Sequence, residues 1–486
     1  TEAARARAHG FTAGELERAK ARFLASLERA YNERDKTESA AYVEECTSHF
    51  LDGEPIPGIA AEFALAGEIL ASVPLEEVNG AGSRLLQAQD RVVLLTAPEK
   101  EGAALPDSAA LVALAAEILA SVPTPYVDEA AGSALMARLP EPGAITARRA
   151  VPELGLTVLT LSNGVEVWLK PTEFKNDEIQ FLAQAPGGCS IADSSAYPSA
   201  EFSPMYVTQA GFGGHTPTAL EKILSGKIAF VRPRITDHQQ GLQGLATPGD
   251  LETAFQLMHL VFTAPDDRPE AFHVVKDQWR TLLANLRAAP EMRFTEEVER
   301  VNYSGHYMYR PRTVESLEEI DRETAHRFFR ERFANAADFS FFFVGAFTPE
   351  SIEPLIARYL GSLPGEPKGP RSAFVDREVR FPPGVIERTL HAGTEPKSRT
   401  VITWPARTGL DEMEMFHLRR AGEVLNIRLR ELLREALSGT YSVEVEYGNM
   451  IPFPGYEATS ILFGSAPESA ADLTAQVLAE VARFQR

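Results

Sequence analysis

Apolar residues in the first 120 positions recur three and four residues apart, which is the spacing of one face of a helix. The pattern is strongest from Leu16 to Tyr31, and Thr12 with Glu15 fits a capping box that would start this helix. A run of apolar residues at 91–97 predicts a strand. We expect further helices over residues 37–50, 59–72, 75–87 and 108–121.

Breaker residues divide the rest of the chain. Four of them predict a linker over residues 139–153, and a proline-rich run at 361–384 predicts a second boundary. Between the two, Asn163-Gly164 separates alternating segments and predicts a hairpin with a type I′ turn. We expect strands at 178–185 and 339–344, and helices at 217–225, 251–263 and 267–289. The predicted parts of the chain are residues 1–150, 151–365 and 366–486.

Composition narrows the class of protein. The formal net charge of −20 and the pI near 5.1 argue against a nucleic-acid partner, because binding phosphates needs clustered Lys and Arg. No apolar run is long enough to predict a membrane span. Cys46 and Cys189 are too few for a disulfide framework. Cys46 shares an apolar helix face with Tyr42, Val43 and Phe50, so we expect a buried thiol.

A basic residue and an aromatic residue frame a turn in the last part. Arg434 closes an amphipathic helix, the turn Ser438-Gly439-Thr440 follows, and Tyr441 opens an alternating strand. Taken alone, Arg434 fits a cation that meets the helix dipole and the last carbonyls. Tyr441 fits an ordinary strand aromatic. The turn would also let the guanidinium and the phenol point at one substrate, so both interpretations stay open.

Three segments of the chain resemble pitrilysin/insulinase-type zinc metallopeptidases. They are LSNGVEVWLKPTEFKNDEIQF at 161–181, LEEIDRETAHRFFRERFANAADFSFFFVGAFTPESI at 317–352 and LNIRLRELLREALSGTYSV at 425–443. The resemblance implies an α+β fold of tandem homologous α/β domains, each a mostly antiparallel sheet packed with helices, as in mitochondrial processing peptidase. In a large single-chain bacterial member, two such halves close like a clam shell around a peptide. The first domain then brings zinc, and the last brings the arginine and the tyrosine.

The chain departs from that family in its metal site. The inverted zinc motif H-x-x-E-H does not occur, and no two of the ten histidines lie four residues apart. At the place of the zinc helix, residues 196–207 offer Glu201 and no imidazole. The resemblance therefore implies no metal ligand in this chain, with zinc bound elsewhere in the full-length protein. It also implies a fragment: the end of a second domain with a linker (1–150), a third domain without a zinc motif (151–365) and a shortened fourth domain (366–486).

The same resemblance implies a function. The parent protein would be a zinc endopeptidase for unfolded peptides or small proteins, and this chain would be its substrate-clamping portion, inactive alone. Arg434 would position the peptide, and Tyr441 would stabilise negative charge on the attacked carbonyl oxygen. The implied partners are the peptide substrate and the missing N-terminal half. Similar bacterial proteins are often exported, which implies a periplasmic or secreted location.

Other interpretations of the sequence stay open. The chain could belong to a non-catalytic family member that acts as a scaffold or binds a partner. An unrelated enzyme could use Cys189 or His215. The Gly-rich run before His215 lacks the residues of a phosphate loop and predicts a turn, with a capping box of Thr218 and Glu221 starting the next helix. His259 lies on an apolar helix, and this position predicts a core or edge histidine.

Overall fold

The amino-terminal part of the protein is helical. The computed structural model describes residues 2–85, 92–97, 105–120, 123–128, 133–286, 289–406, 412–437, 442–449 and 457–485. The capping box is confirmed, since the Thr12 hydroxyl accepts from the Glu15 amide and the Glu15 carboxylate from the Thr12 amide. The predicted helices are confirmed as α2 (Ala13–Asn32), α3 (Ser39–Asp52), α4 (Ile59–Ser72), α5 (Leu75–Leu85) and α6 (Ser108–Ala120), and a helix that was not predicted, α1 (Glu2–His9), precedes them.

The predicted strand at 91–97 is wrong. The described residues 92–97 form neither a helix nor a strand, and Val92 is 94% exposed. A strand satisfies its backbone groups by pairing with a neighbour, and no described strand lies beside this segment. The apolar run is present, but a partner that would make it a strand is not among the described residues.

The predicted burial of Cys46 is also wrong. Its thiol is exposed, and the neighbouring Tyr42, Val43 and Phe50 on α3 are 50%, 65% and 85% exposed. Helical periodicity fixes which residues share a face, but burial requires another element against that face. No described element covers this side of α3.

A seven-stranded sheet forms the centre of the next part. In spatial order its strands are β1-β2-β3-β7-β4-β6-β5, and every neighbouring pair is antiparallel except β3 with β7. The predicted α+β class with a mostly antiparallel sheet is confirmed. The predicted linker at 139–153 is partly wrong, because β1 lies inside it and pairs with β2. The strands are β1 (Ile145–Val151), β2 (Leu156–Leu161), β3 (Glu166–Pro171), β4 (Ile179–Pro186), β5 (Ala229–Ile235), β6 (Gln239–Ala246) and β7 (Ser340–Gly345).

The hairpin between β2 and β3 is confirmed, but its turn type is not I′. Among the described non-glycine residues only Ser304 and Glu378 have positive φ, so Asn163 does not, while Gly164 has φ +86°. The Gly164 amide donates to the Leu161 carbonyl, the pattern of a three-residue loop ending in a left-handed glycine. The Asn163 amide group instead donates to the carbonyls of Leu360 and Leu363 at 2.8 and 3.0 Å. The local sequence predicted that Asn163 would adopt the positive φ of a type I′ turn. Its side chain instead forms a tertiary contact with residues 360 and 363.

Helices cover one face of this sheet and create the main core. Phe255 stacks on Phe343 with ring centroids 5.2 Å apart, and Phe262 meets Phe339 edge-on at 4.8 Å. The predicted capping box of Thr218 with Glu221 is wrong, because Thr216 caps this helix and Pro217 takes its first position. The helices are α7 (Tyr197–Ala210), α8 (Pro217–Ile223), α9 (Leu251–Thr263), α10 (Pro269–Leu286), α11 (Pro290–Asn302), α12 (Arg322–Phe333) and α13 (Pro349–Leu355).

A second, smaller sheet lies in the last part. Residues 361–384 contain no helix or strand, as the breaker pattern predicted. Beyond them, the strand order is β8-β10-β9, all antiparallel. Two helices pack on this sheet around a core that includes Leu429, Ile461 and Phe463. The elements are β8 (Ser398–Ala406), α14 (Glu412–Leu437), β9 (Val443–Asn449), β10 (Glu457–Ser465) and α15 (Ala470–Phe484).

Candidate functional site

The predicted pair Arg434 and Tyr441 falls where the structure gives little detail. Arg434 lies in α14, as the sequence predicted, but its side chain is outside the described residues. Tyr441 and the turn at 438–440 are also outside them. The convergence of guanidinium and phenol therefore stays a prediction.

The elements that flank the pair are well defined. Leu433 on α14 is 3% exposed and Val443 on β9 is 5% exposed, and both belong to the core of the small sheet. Along β9, Val443 and Val445 are turned towards that core while Glu444 and Glu446 are exposed, so the predicted alternation is confirmed. Packing therefore fixes the helix before the turn and the strand after it.

Helix α7 occupies the segment where the zinc helix was expected. Pro204 lies inside it and cannot donate a backbone hydrogen bond to the Ala200 carbonyl. The Ser203 hydroxyl donates to that carbonyl instead, at 2.7 Å, so the helix continues. Helix α7 thereby places Glu201 in the lining of a pocket of about 340 Å³.

The Glu201 carboxylate is bound by Arg312. The guanidinium forms a forked pair with both carboxylate oxygens, and its Nε lies 3.0 Å from Oε2. It also lies over the ring of Trp279, 5.3 Å from the centroid. Burial acts to lower the pKa of Arg312, but the hydrogen bonds to Glu201 and the negative charges of Glu201 and Asp237 together outweigh burial and raise that pKa. The only carboxylate that α7 brings to this pocket is thus neutralised by an internal cation.

A second acidic group at the pocket links three segments. Asp237, in the turn between β5 and β6, accepts hydrogen bonds from the Tyr197 hydroxyl at 2.9 Å and the Tyr309 hydroxyl at 2.8 Å. Tyr197 also donates to the Met308 carbonyl at 3.1 Å. Burial, followed by the nearby Asp237 charge, raises the pKa of Tyr197 far above its usual value. We infer from these contacts that Asp237 holds the pocket together.

Cys189 also lines this pocket and is 1% exposed. Burial, and then the charges of Asp237 and Glu201, raise the pKa of its thiol well above the usual value. Since the thiolate is the reactive form, this is the environment of an inert thiol. Within the described residues, no group of three or more His, Cys, Asp or Glu side chains is placed to hold a metal ion.

The two histidines that the sequence singled out have structural partners. The Gly-rich run before His215 forms a turn, as predicted, with positive φ at Gly211, Gly213 and Gly214. His259 is 8% exposed on α9, its ring contacts the Thr263 hydroxyl at 3.2 Å, and burial lowers its pKa. Of the two predicted positions, core or edge, the structure gives His259 a position in the core.

The pocket could not be found from the sequence alone. Glu201 and Arg312 are 111 positions apart, and Tyr197 and Asp237 are 40 apart. No local motif joins them, because the sheet and α7 create their proximity. Only the position of Glu201 carried a signal, through the resemblance of the segment around it.

Comparison with known proteins gives a consistent picture. Residues 319–486 match the protein family described as the peptidase M16 inactive domain. A zinc protease PQQL-like protein of Arabidopsis thaliana is 27% identical, and the match covers 99% of this chain and 49% of that protein. The chain thus spans about half the length of this relative.

Solved structures share the fold. The periplasmic protease PqqL from Escherichia coli has a TM-score of 0.65 at 20% identity, covering 99% of this chain and 53% of that one. A mutant of the ferredoxin protease FusC, in complex with Arabidopsis ferredoxin, has a TM-score of 0.64 at 19% identity, and the match covers 97% of this chain and 53% of the FusC chain. Within the part of the chain that the structure describes, no helix is long and apolar enough to cross a membrane.

Proposed function

We propose that this chain is the substrate-clamping half of a zinc endopeptidase, with no metal ligands of its own, because residues 319–486 match the M16 inactive-domain family, a match that confirms the resemblance to pitrilysin/insulinase-type peptidases. The observation that carries the proposal is the match over 99% of the chain to a protein named as a zinc protease. The Glu201–Arg312 pair agrees with it, since an arginine neutralises the carboxylate that α7 supplies. The nucleophile and the metal then belong to another part of the protein.

Arg434 and Tyr441 carry the clamping role. A zinc-bound hydroxide that attacks a peptide carbonyl builds negative charge on its oxygen. A phenol hydroxyl held in place can stabilise that charge, and a guanidinium can hold a neighbouring carbonyl through its forked donors. Helix α14, which contains Arg434, and strand β9, which follows Tyr441, are packed on one core, and this supports a fixed geometry.

The test uses the complete gene product that contains this chain. Tyr441→Phe should lower kcat for an unfolded peptide about a hundredfold, as for loss of one oxyanion donor, with zinc content unchanged. Replacing Tyr447, a neighbouring tyrosine on β9, with Phe is the matched control and should leave kcat unchanged. If the complete protein binds no zinc and cleaves nothing, the scaffold interpretation replaces this proposal.

The missing N-terminal half of the enzyme is the partner that would cover the exposed face of the amino-terminal helices of this chain. Phe50 and Leu51 on α3 are 85% and 70% exposed, and apolar surfaces of this kind mark interaction sites. The match to about half of a longer relative supports a partner encoded in the same protein. In the complete protein, Phe50→Asp should weaken the association of the two halves after limited proteolysis, as measured by size-exclusion chromatography. Phe174→Asp, at an 81% exposed residue before β4, is the control.

We base our proposals for the substrate class and the cellular location of the complete protein on its relatives. The complex of FusC with ferredoxin supports a small protein as substrate, and the periplasmic location of PqqL supports export of the whole protein. Fractionation of the native host, with antibody against this chain, tests the location. Detection only in the cytosolic fraction would contradict it.

A further inference from the structure

One row of side chains crosses the face of the seven-stranded sheet that the helices leave open. On six of the strands these residues alternate with core residues, and on β1 Arg149 follows Arg148, which pairs with Glu353 of α13, so the row points away from the helices. Strand pairing places them side by side from one sheet edge to the other. The row consists of Arg149, Val158, Trp168, Phe342, Leu182, Gln243 and Arg232.

The centre of the row is apolar and partly accessible. Trp168 stacks on Phe342 with ring centroids 5.9 Å apart, and both rings are half-buried, as is Leu182. In the adjoining row, Val344 is 40% exposed and Phe230 is 52% exposed. On the opposite face, by contrast, Phe341 and Phe343 are at most 1% exposed under the helices. The open face therefore offers aromatic and aliphatic surface that the described elements leave partly accessible, except at Val158, which is 3% exposed.

The ends of the row are positively charged. Arg149 and Arg232 are exposed, and neither forms an ion pair with a carboxylate among the described residues. Arg149 lies over the Trp168 ring, 5.6 Å from its centroid. Lys170 and Arg234 lie on the same face, where Glu166 is the acidic residue of β3. In a chain with a formal net charge of −20, this local excess of cations is distinctive.

We propose that this face binds a polypeptide segment with an apolar centre and acidic ends. The aromatic pair supplies the contact area, and the two arginines select carboxylates at either end of the row. Six strand spacings of about 4.8 Å separate β1 from β5, so the row is roughly 29 Å long. An extended segment of about nine residues has that length. The inference deepens the proposed function, because it names the substrate class that this half would hold.

Charge complementarity favours a polypeptide over a nucleic acid. Four cations spread over the whole face give isolated contacts, whereas phosphate backbones are bound by continuous basic tracks. The apolar centre fits leucine or phenylalanine side chains, and aromatic residues in such patches often dominate binding energy.

Binding is measured by fluorescence anisotropy on the full chain without zinc, so no cleavage step is involved. The labelled peptide has about nine residues, with aspartates at both ends and leucine and phenylalanine in the centre. Arg149→Gln and Arg232→Gln should each weaken binding about threefold to fivefold, and the double variant about tenfold or more. Trp168→Ala should weaken it about tenfold or more, whereas Trp168→Phe keeps most of the affinity.

Arg148→Gln is the matched control, because Arg148 neighbours Arg149 on β1 but points to the other face and pairs with Glu353. It changes the net charge equally and should alter affinity less than about twofold. Equal losses for Arg148→Gln and Arg149→Gln would overturn the proposal. So would equal binding of a peptide with lysine ends, or of a single-stranded oligonucleotide. Because the assay needs no catalysis, its failure leaves the peptidase proposal standing, and loss of peptidase activity leaves this one standing.

Discussion

The seven-stranded part and the amino-terminal helices contain the same kind of apolar periodicity but bury it to very different degrees. Around the sheet, the rings of Phe341 and Phe343 are at most 1% exposed. Among the described residues up to 128, only Ala4 is buried, although α2 and α4 meet through Tyr31 and Phe63. Periodicity therefore specifies an apolar face, while burial depends on which element packs against that face.

The two cysteines give the largest expected contrast between these parts. Cys46 is exposed on α3, and Cys189 is 1% exposed under α7. In the native chain a thiol reagent should therefore modify Cys46 at least about a thousandfold faster than Cys189, which must wait for local opening. The slow reaction is slower still because burial raises the pKa of Cys189.

Thiol labelling followed by peptide mass mapping measures both rates. Cys46→Ser should remove the fast phase and leave the slow one, and addition of urea should make both thiols react quickly. Comparable rates in the native chain would mean that the core around α7 is open to solvent.

A matched pair of Phe→Ala changes gives the next largest effect. Phe343 is fully buried and its ring lies 5.2 Å from Phe255 and 5.8 Å from Phe181, so Phe343→Ala should lower the free energy of unfolding by about 3 to 5 kcal/mol. Phe50 is 85% exposed, so Phe50→Ala should change it by less than about 0.5 kcal/mol. Urea unfolding followed by circular dichroism measures both. A large loss from Phe50→Ala would show that α3 is covered in solution.

The sequence predicted element types better than environments. The helix from Thr12 and the alternation along β9 follow from spacing that neighbours in the chain determine. The exposure of Cys46 and the absence of strand pairing at 92–97 do not, because they depend on what lies beside each segment.

The candidate sites show the same division. The resemblance singled out Arg434, Tyr441 and Glu201, but it gave no sign that Arg312 binds Glu201. That contact arises when β5, β6 and α7 bring distant residues together. Asn163 is a smaller example, since its side chain binds carbonyls about 200 positions away and the turn changes type.

Removing the Asp237 carboxylate should have an intermediate effect on stability. Asp237→Ala leaves the Tyr197 hydroxyl, at a residue 4% exposed, with one acceptor fewer, so it should cost about 1 to 3 kcal/mol. Asp52→Ala, at an exposed aspartate that ends α3, is the control and should stay within about 0.5 kcal/mol. Thermal unfolding compares the two. Equal losses would mean that Asp237 does not link the three segments as its contacts indicate.

The smallest expected effect on stability lies where the amino-terminal helices contact the seven-stranded part. We call this contact, between α2 and the start of β4, the seam. Arg29 pairs with Glu178 at 2.6 Å, and Asn32 donates to Asp177 at 3.2 Å. Burial, together with the charges of Glu33 and Asp250, raises the pKa of Asp177, although Asn32 and Arg29 act to lower it. A carboxyl group whose pKa is raised on folding binds its proton more tightly in the folded state. Its ionisation therefore opposes folding at neutral pH, and that cost disappears as the pH falls through the raised pKa.

Asp177→Asn should therefore stabilise the contact between α2 and β4 by a few tenths of a kcal/mol at pH 7, and the gain should fade at acidic pH, where Asp177 is protonated.

Asp267, which lies beside the seven-stranded sheet, should show a change in stability of the opposite sign. Burial acts to raise its pKa, but hydrogen bonds from Arg322 and Tyr206 lower it, so Asp267→Asn should destabilise the protein at pH 7. Hydrogen exchange of the α2 amides, measured for Asp177→Asn at pH 7 and at acidic pH, reports the local stability of the contact between α2 and β4 separately from global unfolding. If Asp177→Asn weakened α2 protection at pH 7, the Asn32 hydrogen bond would outweigh burial, and the two parts would be joined by polar contacts that favour the ionised carboxylate.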